Sequence, residues 1–307
     1  MKFRTLVLFT RTPLHVGAGN SVGVVDSPVM RERHTRTPII PGSSLKGVLA
    51  DLWNGDKKEA PVPTEKDPNK TKTIRGDESC ALFGSDNEDA AASGALLVGE
   101  ARALAFPLRS AKGGFAWITS PHALRKFARD TGKTLPELSE IADGKCLATQ
   151  NSDVVVPGKN AVVLEEYKLD KTGDVPADVL EALKTLHDDA VWQEVARRLV
   201  VVNDELFSYF VENACEVVTR IHVSDETGTV VQGHLFNQEQ VPSETLFYAL
   251  VGDAEKKNAS DALKKLGDAE KKNALDALSA KLASVSNVIQ VGGDATIGLG
   301  FCAVKLA

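Results

Sequence analysis

The sequence predicts an α+β protein, because strand-like and helix-like segments alternate along the chain. Residues 3–10 alternate and are rich in Val, Leu and Phe, which is typical of a strand. Residues 217–236 hold two β-rich runs on either side of Asp-Glu-Thr-Gly, a pattern that predicts a hairpin. Residues 131–200 are acidic and mostly helical in pattern, which predicts a helical lobe packed on the sheet.

The composition is that of an ordinary globular protein. The 307 residues, of which 43% are hydrophobic and 25% charged, are enough to bury a core in one large domain. No run approaches the roughly 18 apolar residues that a membrane-spanning helix needs, so we expect a protein of the cytoplasm. The four cysteines are scattered without a CxxC pair, and we expect reduced thiols rather than disulfides or zinc ligands.

Basic residues are concentrated in two segments of an otherwise acidic chain. The net charge is -6, yet residues 31–46 and 101–133 together carry eleven Lys or Arg and two Asp or Glu. This distribution favours a protein that holds one nucleic-acid strand along one face and contacts proteins elsewhere. Solvated helix faces explain the second segment equally well.

The N-terminal third is predicted to contain a strand, a long loop, a helix and an insertion. Residues 13–35 are rich in turn formers and should form an ordered loop, and long loops are usually functional. A helix should begin after the extended residues 38–41, capped by Ser43 or Ser44. Residues 54–93 are polar and rich in Pro and Asp, so we expect an insertion outside the core.

The rest of the chain is predicted to add paired strands, a capped helix, the lobe, the hairpin and a repeat. Residues 95–106 and 114–119 should pair as strands, followed by a helix that begins at Ser120. Residues 252–266 and 267–281 match at 11 of 15 positions. This charged duplication predicts an exposed helical insertion, to which we assign no chemistry.

The sequence Pro-Gly-Ser-Ser-Leu-Lys-Gly at residues 41–47 has the composition of a phosphate-binding helix start. Ser43, Ser44 and Lys46 would surround a helix N-terminus, whose free amides attract anions. The spacing differs from that of the GxxxxGK[ST] phosphate loop of nucleotide-binding proteins. An ordinary serine-capped helix is the alternative.

Residues 291–301 contain four glycines, of which Gly292 and Gly293 are adjacent. Glycine lets a ligand approach the backbone closely. No helix follows, which excludes a dinucleotide-binding turn. We interpret the segment as a strand connection across which an RNA backbone can lie, with a plain tight turn as the alternative.

His15 and Asp26 both lie in the long loop. RNA is cut by its own 2′-hydroxyl when that group is deprotonated and aligned with the adjacent phosphate, so a protein supplies only alignment, a base or metal ligand, and charge stabilisation. An aspartate with an ordinary pKa of about 3.9 is a weak base, so Asp26 is better suited to anchor a divalent metal ion, Mg²⁺ or Mn²⁺, or its water. Both residues also suit structural roles in a turn.

These motifs, in this order, resemble the RAMP superfamily of CRISPR proteins. The resemblance begins with TPLHVGAG, VDSPVMRERHT and TPIIPGSSLKGVL, and continues with FPLRSAKGGFAWITSP, TRIHVSDETGTVVQGHLF, VPSETLFYALV and QVGGDATIGLGF. It covers about half of the chain. Within the superfamily the motifs resemble the Cas7-group backbone subunits of type III-B (Cmr) effector complexes.

The resemblance implies a ferredoxin-like, RRM-type palm with a β-hairpin thumb and helical insertions, all in a single RAMP domain over residues 1–307. The palm would comprise mainly residues 1–53, 94–130, 203–251 and 285–307. The insertions would be residues 54–93, residues 131–202 as the helical lobe, and residues 252–283 as the repeat helix.

The resemblance also implies a guide-directed endoribonuclease that depends on a divalent metal ion. Such subunits bind CRISPR RNA, stack as copies of themselves in a helical filament, and cut complementary target RNA at regular intervals. The implied protein partners are the other type III-B Cmr subunits, including the small helical subunit and the Cas10-type large subunit. No membrane partner is implied.

By motif position, Asp26 is the implied catalytic residue and a candidate metal ligand, and His15 lies near it in the cleavage loop. The candidate RNA-binding residues are Ser43, Ser44, Lys46, Arg31, Arg33, Arg109, Lys112, Gly292 and Gly293. After the hairpin, HLFNQEQ stands where the family has an aromatic and acidic LWYEE-like run. The resemblance therefore does not imply that residues of the thumb assist cleavage.

Two alternatives remain open from the sequence. A lone carboxylate is a weak base, so the chain could be a non-catalytic RAMP scaffold that binds CRISPR RNA and organises the complex. A third hypothesis is a metabolic enzyme that uses residues 41–47 to hold a phosphorylated small molecule. Salt-dependent binding of single-stranded RNA separates this third hypothesis from the other two.

Overall fold

The computed structural model describes residues 1–19, 23–61, 71–85, 92–224, 226–254 and 273–307. Within them the strands are β1 (Lys2–Thr10), β2 (Ile39–Ile40), β3 (Lys58–Pro61), β4 (Thr71–Ile74), β5 (Leu96–Val98), β6 (Ala101–Ser110), β7 (Gly114–Thr119), β8 (Lys145–Ala148), β9 (Ala161–Leu164), β10 (Tyr167–Asp174), β11 (Leu199–Val201), β12 (Glu216–Val223), β13 (Val230–Gln240), β14 (Leu246–Asp253), β15 (Val288–Gln290) and β16 (Phe301–Leu306). The α-helices are α1 (Gly42–Asp51), α2 (Asp77–Phe83), α3 (Pro121–Thr131), α4 (Ala177–Lys184), α5 (Val195–Arg198), α6 (Asp204–Asn213) and α7 (Ala274–Ser284).

The central sheet has the strand order β15-β16-β1-β14-β6, and every neighbouring pair is antiparallel. β1 is buried on both faces, because Leu6 and Leu8 pack into one apolar cluster while Val7 and Phe9 pack into another. The strand predicted at residues 3–10 is confirmed. Its alternation divides the core of the molecule into two layers.

Six strands form a closed ring in the order β6-β7-β11-β8-β10-β9. β9 closes the ring, because it pairs with β10 on one side and with β6 at Ser110 opposite Leu164 on the other. Apolar side chains of this ring, such as Phe106 and Val162, join one core cluster. Because residues 131–202 supply β8 to β11, the prediction of a lobe packed on the sheet and apart from it is wrong for these strands.

Three of the four strands of this segment are short, which explains why the sequence pattern did not reveal them; the fourth, β10, has eight residues. β8 and β9 each have four residues and β11 has three. Apolar runs of this length cannot be assigned to strand or helix from periodicity. The helical part of the prediction is confirmed for α4 and α5.

Helices cover both faces of the sheet. α1 and α7 bury Leu45, Leu49 and Leu278 in one cluster. α3 and α4 bury Phe127 and Val179 in the other. No helix of the described ranges is long and apolar enough to cross a membrane.

β12 and β13 form a separate two-stranded ribbon, so the predicted hairpin is confirmed. Asp225 of its turn lies outside the described residues. Val217, Ile221 and Leu235 on this ribbon are more than half exposed. An isolated ribbon with exposed apolar side chains usually needs a partner surface.

Two predicted insertions are partly in the core. In residues 54–93, α2 buries Leu82 and Phe83, and the Phe83 ring lies 5.3 Å from that of Trp53. Of the tandem repeat, residues 255–272 lie outside the described part, while residues 273–281 begin α7, which is largely buried. The expectation of exposure is therefore wrong for α2 and for the start of α7, since their Leu and Phe residues fill space under the sheet.

Cys146, Cys215 and Cys302 are buried free thiols. Burial raises the pKa of Cys146, Cys215 and Cys302 to about 12. Each is therefore an unreactive thiol at neutral pH.

Candidate functional site

Three segments that are distant in sequence meet at the base of the β12–β13 hairpin. The long loop of residues 13–35 pairs with the end of β13, as Ser27 forms a parallel bridge with Gln238 and Leu14 an antiparallel bridge with Val241. The glycine-rich loop of residues 291–300 lies against the same long loop. We refer to this meeting point as the hairpin base.

Asp26 lies at the hairpin base with its side chain exposed. The backbone amide of Asn237 donates to Asp26 Oδ2 at 2.8 Å. Within the described residues Oδ1 accepts no hydrogen bond, so one carboxylate oxygen is held and the other faces solvent. The carboxylate is thus fixed in position and still able to contact a ligand.

His15 lies beside Asp26 but is buried, with 7% of its surface exposed. Its Nδ1 is 2.6 Å from the carbonyl oxygen of Glu239, which can only accept, so Nδ1 carries a proton. Its Nε2 is 3.2 Å from Ser27 Oγ, and in the neutral ring the hydroxyl donates to it. Both ring nitrogens are used within the chain, so His15 supports Ser27. A catalytic role of His15 stays a prediction.

The glycines of the C-terminal loop approach the long loop of the chain itself. Gly292 has φ of 82°, and a Cβ there would lie 2.2 Å from the carbonyl oxygen of His15. The Gly293 amide donates to that same oxygen at 2.9 Å, and the Gly300 amide donates to Pro13 at 2.8 Å. Gly292 is therefore needed for the close packing of two protein segments, while both glycines remain exposed on their other side. Their contact with RNA stays a prediction.

The side chain of Arg31 is held inside the protein by contacts within the chain. Its side chain is 4% exposed, and Nη2 donates to Glu239 Oε1 at 2.6 Å. Burial alone would lower the pKa of Arg31, but Cys215 and Glu239 raise it above its ordinary value, so the guanidinium stays charged. The expected RNA contact at Arg31 is corrected, because this guanidinium does not reach the surface.

The helix start at residues 41–47 has the predicted free amides, with a different cap. Pro41 is the N-cap of α1 and supplies no side-chain cap, while Ser43 and Ser44 are exposed in the first turn. The prediction of a serine cap is therefore wrong. Gly42 fits closely against β5, since a Cβ there would lie 2.7 Å from the carbonyl oxygen of Val98.

Lys46 is half-buried in α1 and has no ion pair within the described residues. The first turn also holds no acidic side chain. Backbone amides, two exposed hydroxyls and one lysine thus remain available to an anion. The arrangement of Ser43, Ser44 and Lys46 stays a prediction of phosphate contact.

The other basic residues predicted to bind RNA differ in the contacts that they make within the chain. Arg33 is exposed. Arg109 is paired with Glu165 and Glu166, and Lys112 donates to the carbonyl oxygen of Val155, so both contact the six-stranded ring rather than the hairpin base. Their RNA contacts stay predictions.

Much of the second basic segment is neutralised within the chain. The acidic partners are close: Asp130 for Arg102 and Arg129, Glu32 for Lys126, and Asp204 for Arg125. Four cations of this segment thus face carboxylates of the same chain, but Glu32 and Asp130 were already included in the charge count of the two segments. The basic groove stays a prediction.

The segment HLFNQEQ, predicted to follow the hairpin, is part of β13 and contributes more to the site than its sequence suggested. Asn237 holds Asp26 through its backbone amide, and Glu239 contacts both Arg31 and the Val29 amide through its side chain. Gln238 donates to Asp294 Oδ2 at 2.7 Å. The contact from Asn237 is made by main chain, so no side-chain pattern could reveal it.

Among the described residues, no group of three or more His, Cys, Asp or Glu side chains is placed to hold a metal ion. A site at Asp26 would therefore have at most two such side chains as ligands from the described residues. This suits Mg²⁺ or Mn²⁺, which are often bound through one or two carboxylates, several waters and a substrate phosphate.

Comparison with known proteins places the chain in a family. The RAMP superfamily profile matches residues 8–303. The CRISPR system Cmr endoribonuclease Cmr4 of Pyrococcus furiosus is 34% identical over 319 aligned residues, which cover 100% of this chain and 96% of the relative.

Solved structures agree with this placement. The crystal structure of oligomeric Cmr4 from Pyrococcus furiosus has a TM-score of 0.68 and 27% identity, and the match covers 100% of this chain and 98% of that chain. A cryo-EM structure of the type III-B Cmr-beta bound to cognate target RNA has a TM-score of 0.67 over 100% and 97% of the chains; at 18% identity this likeness concerns the fold alone. The chain therefore has the mixed α/β fold of Cmr4, and it belongs to the RAMP superfamily, in its Cmr4 (Cas7) branch.

Proposed function

We propose that this chain is a guide-directed endoribonuclease subunit of a type III-B CRISPR complex, with Asp26 at the site of target cleavage. The observation that carries the proposal is the placement of Asp26: its carboxylate is exposed and held by the Asn237 amide at the hairpin base. The same chain is 34% identical over its full length to a CRISPR endoribonuclease.

The reaction requires little from the protein beyond alignment. The 2′-oxygen of one nucleotide loses its proton and bonds to the adjacent phosphorus, while the bond from phosphorus to the 5′-oxygen of the next nucleotide breaks and that oxygen takes up a proton. Asp26 Oδ1 is the group of this site that faces solvent, so it can contact the 2′-hydroxyl, the phosphate or a bound ion there. A divalent ion would supply charge neutralisation and a more acidic water at this position.

The RNA backbone would be held by the start of α1. Supporting this are the exposed Ser43 and Ser44, the free amides of the first turn, and Lys46 without an ion pair in the described residues. Such a site contacts phosphates and reads no sequence. Base pairing between guide and target would supply the sequence specificity.

We also infer a ferredoxin-like palm. What supports it is the strand order β16-β1-β14-β6, with all pairs antiparallel, α1 in the connection from β1 to β6 and α7 in the connection from β14 to β16. In this description the separate β12–β13 ribbon is the thumb, and the six-stranded ring extends the far edge of the palm. The single RAMP domain over residues 1–307 stays a prediction.

Assembly into a filament of copies is part of the proposal. The exposed Val217, Ile221 and Leu235 of the thumb support it, since such a surface favours contact with another chain. The Pyrococcus furiosus relative is described as oligomeric. The small helical subunit and the Cas10-type large subunit stay predicted partners.

The proposal is tested by Asp26→Asn in the assembled complex. Cleavage of guide-complementary RNA should fall by about 100-fold or more, because the variant keeps the size of the side chain but loses its charge. Dissociation constants for guide and target RNA should be unchanged. Asp188→Asn, which removes an exposed carboxylate elsewhere, is the control and should cut normally.

A chelator tests the metal requirement separately. Removal of divalent ions should abolish cleavage, and Mg²⁺ or Mn²⁺ should restore it in the wild type but not in Asp26→Asn. A complex that binds complementary RNA but cuts none of it with any divalent ion would favour the non-catalytic scaffold. A chain without salt-dependent RNA binding would favour the small-molecule enzyme.

A further inference from the structure

We propose that Glu239, together with Arg31, is a positioning pair that fixes the loop carrying Asp26 against the thumb hairpin. This inference rests on the proposed function of Asp26. It assigns to Glu239 and Arg31 an effect on the cleavage rate, which they would exert without touching RNA.

Within the described residues Glu239 makes four hydrogen bonds besides its strand pairing, and each of them goes to the long loop. Its backbone amide donates to Ser27 at 2.9 Å, and its carbonyl oxygen accepts from His15 at 2.6 Å. Its Oε2 accepts from the Val29 amide at 2.9 Å, and its Oε1 accepts from Arg31 at 2.6 Å. The loop is thus held on both sides of Asp26.

Arg31 connects the same carboxylate to the start of the hairpin. Nη1 donates to the carbonyl oxygens of Arg36 and Val211 at 2.7 Å each. Nη2 is 3.3 Å from the carbonyl oxygen of Glu212 and 3.1 Å from Cys215 Sγ. Val211 and Glu212 lie in the last turn of α6, where unpaired carbonyl oxygens favour a cation.

The pair therefore fixes three parts of the hairpin base relative to one another. Glu239 belongs to β13, Arg31 follows Asp26 in the loop, and Cys215 immediately precedes β12. The Glu239 and Arg31 side chains are at least 90% buried, so this geometry is shielded from water and from screening by salt.

Asp26 depends on this support because its own carboxylate has a single hydrogen bond within the described residues, from the Asn237 amide. Ser27, the next residue, is bonded to Asn237 and Glu239 through its backbone. A displacement of the loop by about 1 Å can lower a reaction rate by about 100-fold. Loss of the Glu239 charge should therefore affect cleavage more than RNA binding.

The test is Glu239→Gln in the assembled complex, measured by single-turnover cleavage at saturating target RNA. Glutamine keeps the size of the side chain and an acceptor for the Val29 amide, but it leaves Arg31 without its counter-charge. We expect the rate to fall by about 10-fold to 100-fold, with the dissociation constants for guide and target RNA changed by less than about 2-fold. The pH profile of the residual cleavage should keep its shape, because the reacting groups are unchanged.

Asp130→Asn is the matched control. Asp130 also pairs with an arginine, Arg102, and its side chain is 12% exposed, but it lies in α3. This variant should lose stability without a change in cleavage rate. An equal loss of cleavage in Asp130→Asn and Glu239→Gln would show that only stability matters and would overturn the proposal.

Arg31→Lys keeps the proposal testable if Glu239→Gln does not assemble. Lysine retains the charge but not the planar fork that reaches three carbonyl oxygens, so we expect a smaller rate loss than in Glu239→Gln. Hydrogen exchange of the full-length chain should also show weaker protection of the Val29 amide in either variant. Unchanged protection together with an unchanged cleavage rate would contradict the proposal.

The outcomes also separate this inference from the proposed function. If Asp26→Asn abolishes cleavage and Glu239→Gln cuts at the wild-type rate, the positioning role fails and the role of Asp26 stands. If Asp26→Asn cuts normally, the proposed function itself fails.

Discussion

Glu244 follows the hairpin segment and has an unusual environment for a carboxyl group. Its backbone φ is 67°, and its Oε2 is buried without a hydrogen bond in the described part of the chain. Burial, and to a smaller extent the nearby Asp189, raises the pKa of Glu244 to about 7, while Arg11 opposes the shift. The neutral carboxyl is therefore favoured in the folded state.

The pKa of Glu244 predicts a pH-dependent stability. In the unfolded chain the group releases its proton near its ordinary pKa of 4.5, whereas in the folded chain it keeps the proton up to about pH 7. The free energy of unfolding should therefore decrease, through this group, as the pH rises from about 4.5 to about 7. Glu244→Gln should be more stable than the wild type above pH 7, by on the order of 1–3 kcal/mol.

Thermal unfolding of both chains at pH 5 and pH 8 checks this prediction. The difference in melting temperature should be small at pH 5 and large at pH 8. A difference that does not change with pH would show that the carboxyl group titrates normally.

Single residues of the site were predictable to different degrees. Asp26 stands in a motif that can be recognised, and the structure places it on the surface. Arg31 lies five positions later in the same loop and was expected to bind RNA. Its side chain is instead buried and paired with Glu239, which is 208 positions away in the sequence. A sequence motif locates a charged residue but does not reveal which distant carboxylate will pair with it.

At the scale of elements, α7 should contribute to stability despite its repeat-like sequence. Leu278 is fully buried there. Leu278→Ala should lower the free energy of unfolding by about 2–5 kcal/mol, because it removes buried apolar atoms and leaves a cavity. Urea unfolding measures this change.

Ser284→Ala in the last turn of α7 is the control for this measurement. Ser284 is exposed, so its substitution should change the free energy of unfolding by less than about 0.5 kcal/mol. Equal effects of the two variants would mean that α7 does not pack against the core.

The start of α1 predicts a salt-dependent phenotype. Lys46→Ala should weaken binding of single-stranded guide RNA of any sequence, and the slope of log K against log salt should decrease in magnitude by about 0.7 for one lost phosphate contact. Filter binding over a range of salt concentrations measures the slope. Lys159→Ala, at an exposed lysine in a loop of the ring, should leave the slope unchanged; a sequence-selective loss in Lys46→Ala would contradict a backbone contact.

Elements with strong local signals were predicted from sequence, and short ones were not. The hairpin, β1 and α3 were foreseen, and Ser120 caps α3 by accepting from the Ala123 amide as expected. The strands β8 to β11 were missed. Three of them have only three or four residues and carry no measurable period. Their pairing with β7 and β10 is set by tertiary contacts.

At the scale of the whole molecule, the site exists only because remote segments meet. Asp26, Asn237 and Gly293 come from three different parts of the chain and are brought together at the hairpin base. The sequence indicated each part as a separate motif. It could not show that Gly292 packs against the carbonyl oxygen of His15, since that depends on the three-dimensional arrangement.

The thumb and the hairpin base are also joined through one strand. β13 carries the exposed apolar side chains of Val230, Leu235 and Phe236, and it carries Glu239 near its end. Glu239 in turn contacts the loop that holds Asp26. The Glu239→Gln experiment examines this connection.

The most direct test of the central claim is the distance between Asp26 and the RNA in a structure of the assembled complex. The target RNA in that complex should lack the 2′-hydroxyl of the nucleotide that is cut. The account predicts that the Asp26 carboxylate lies within hydrogen-bond reach of the backbone at the cut position, about 3 Å, or is joined to it through one water or ion. An RNA path more than about 10 Å from Asp26, beyond the reach of one bridging water or ion, would contradict the account.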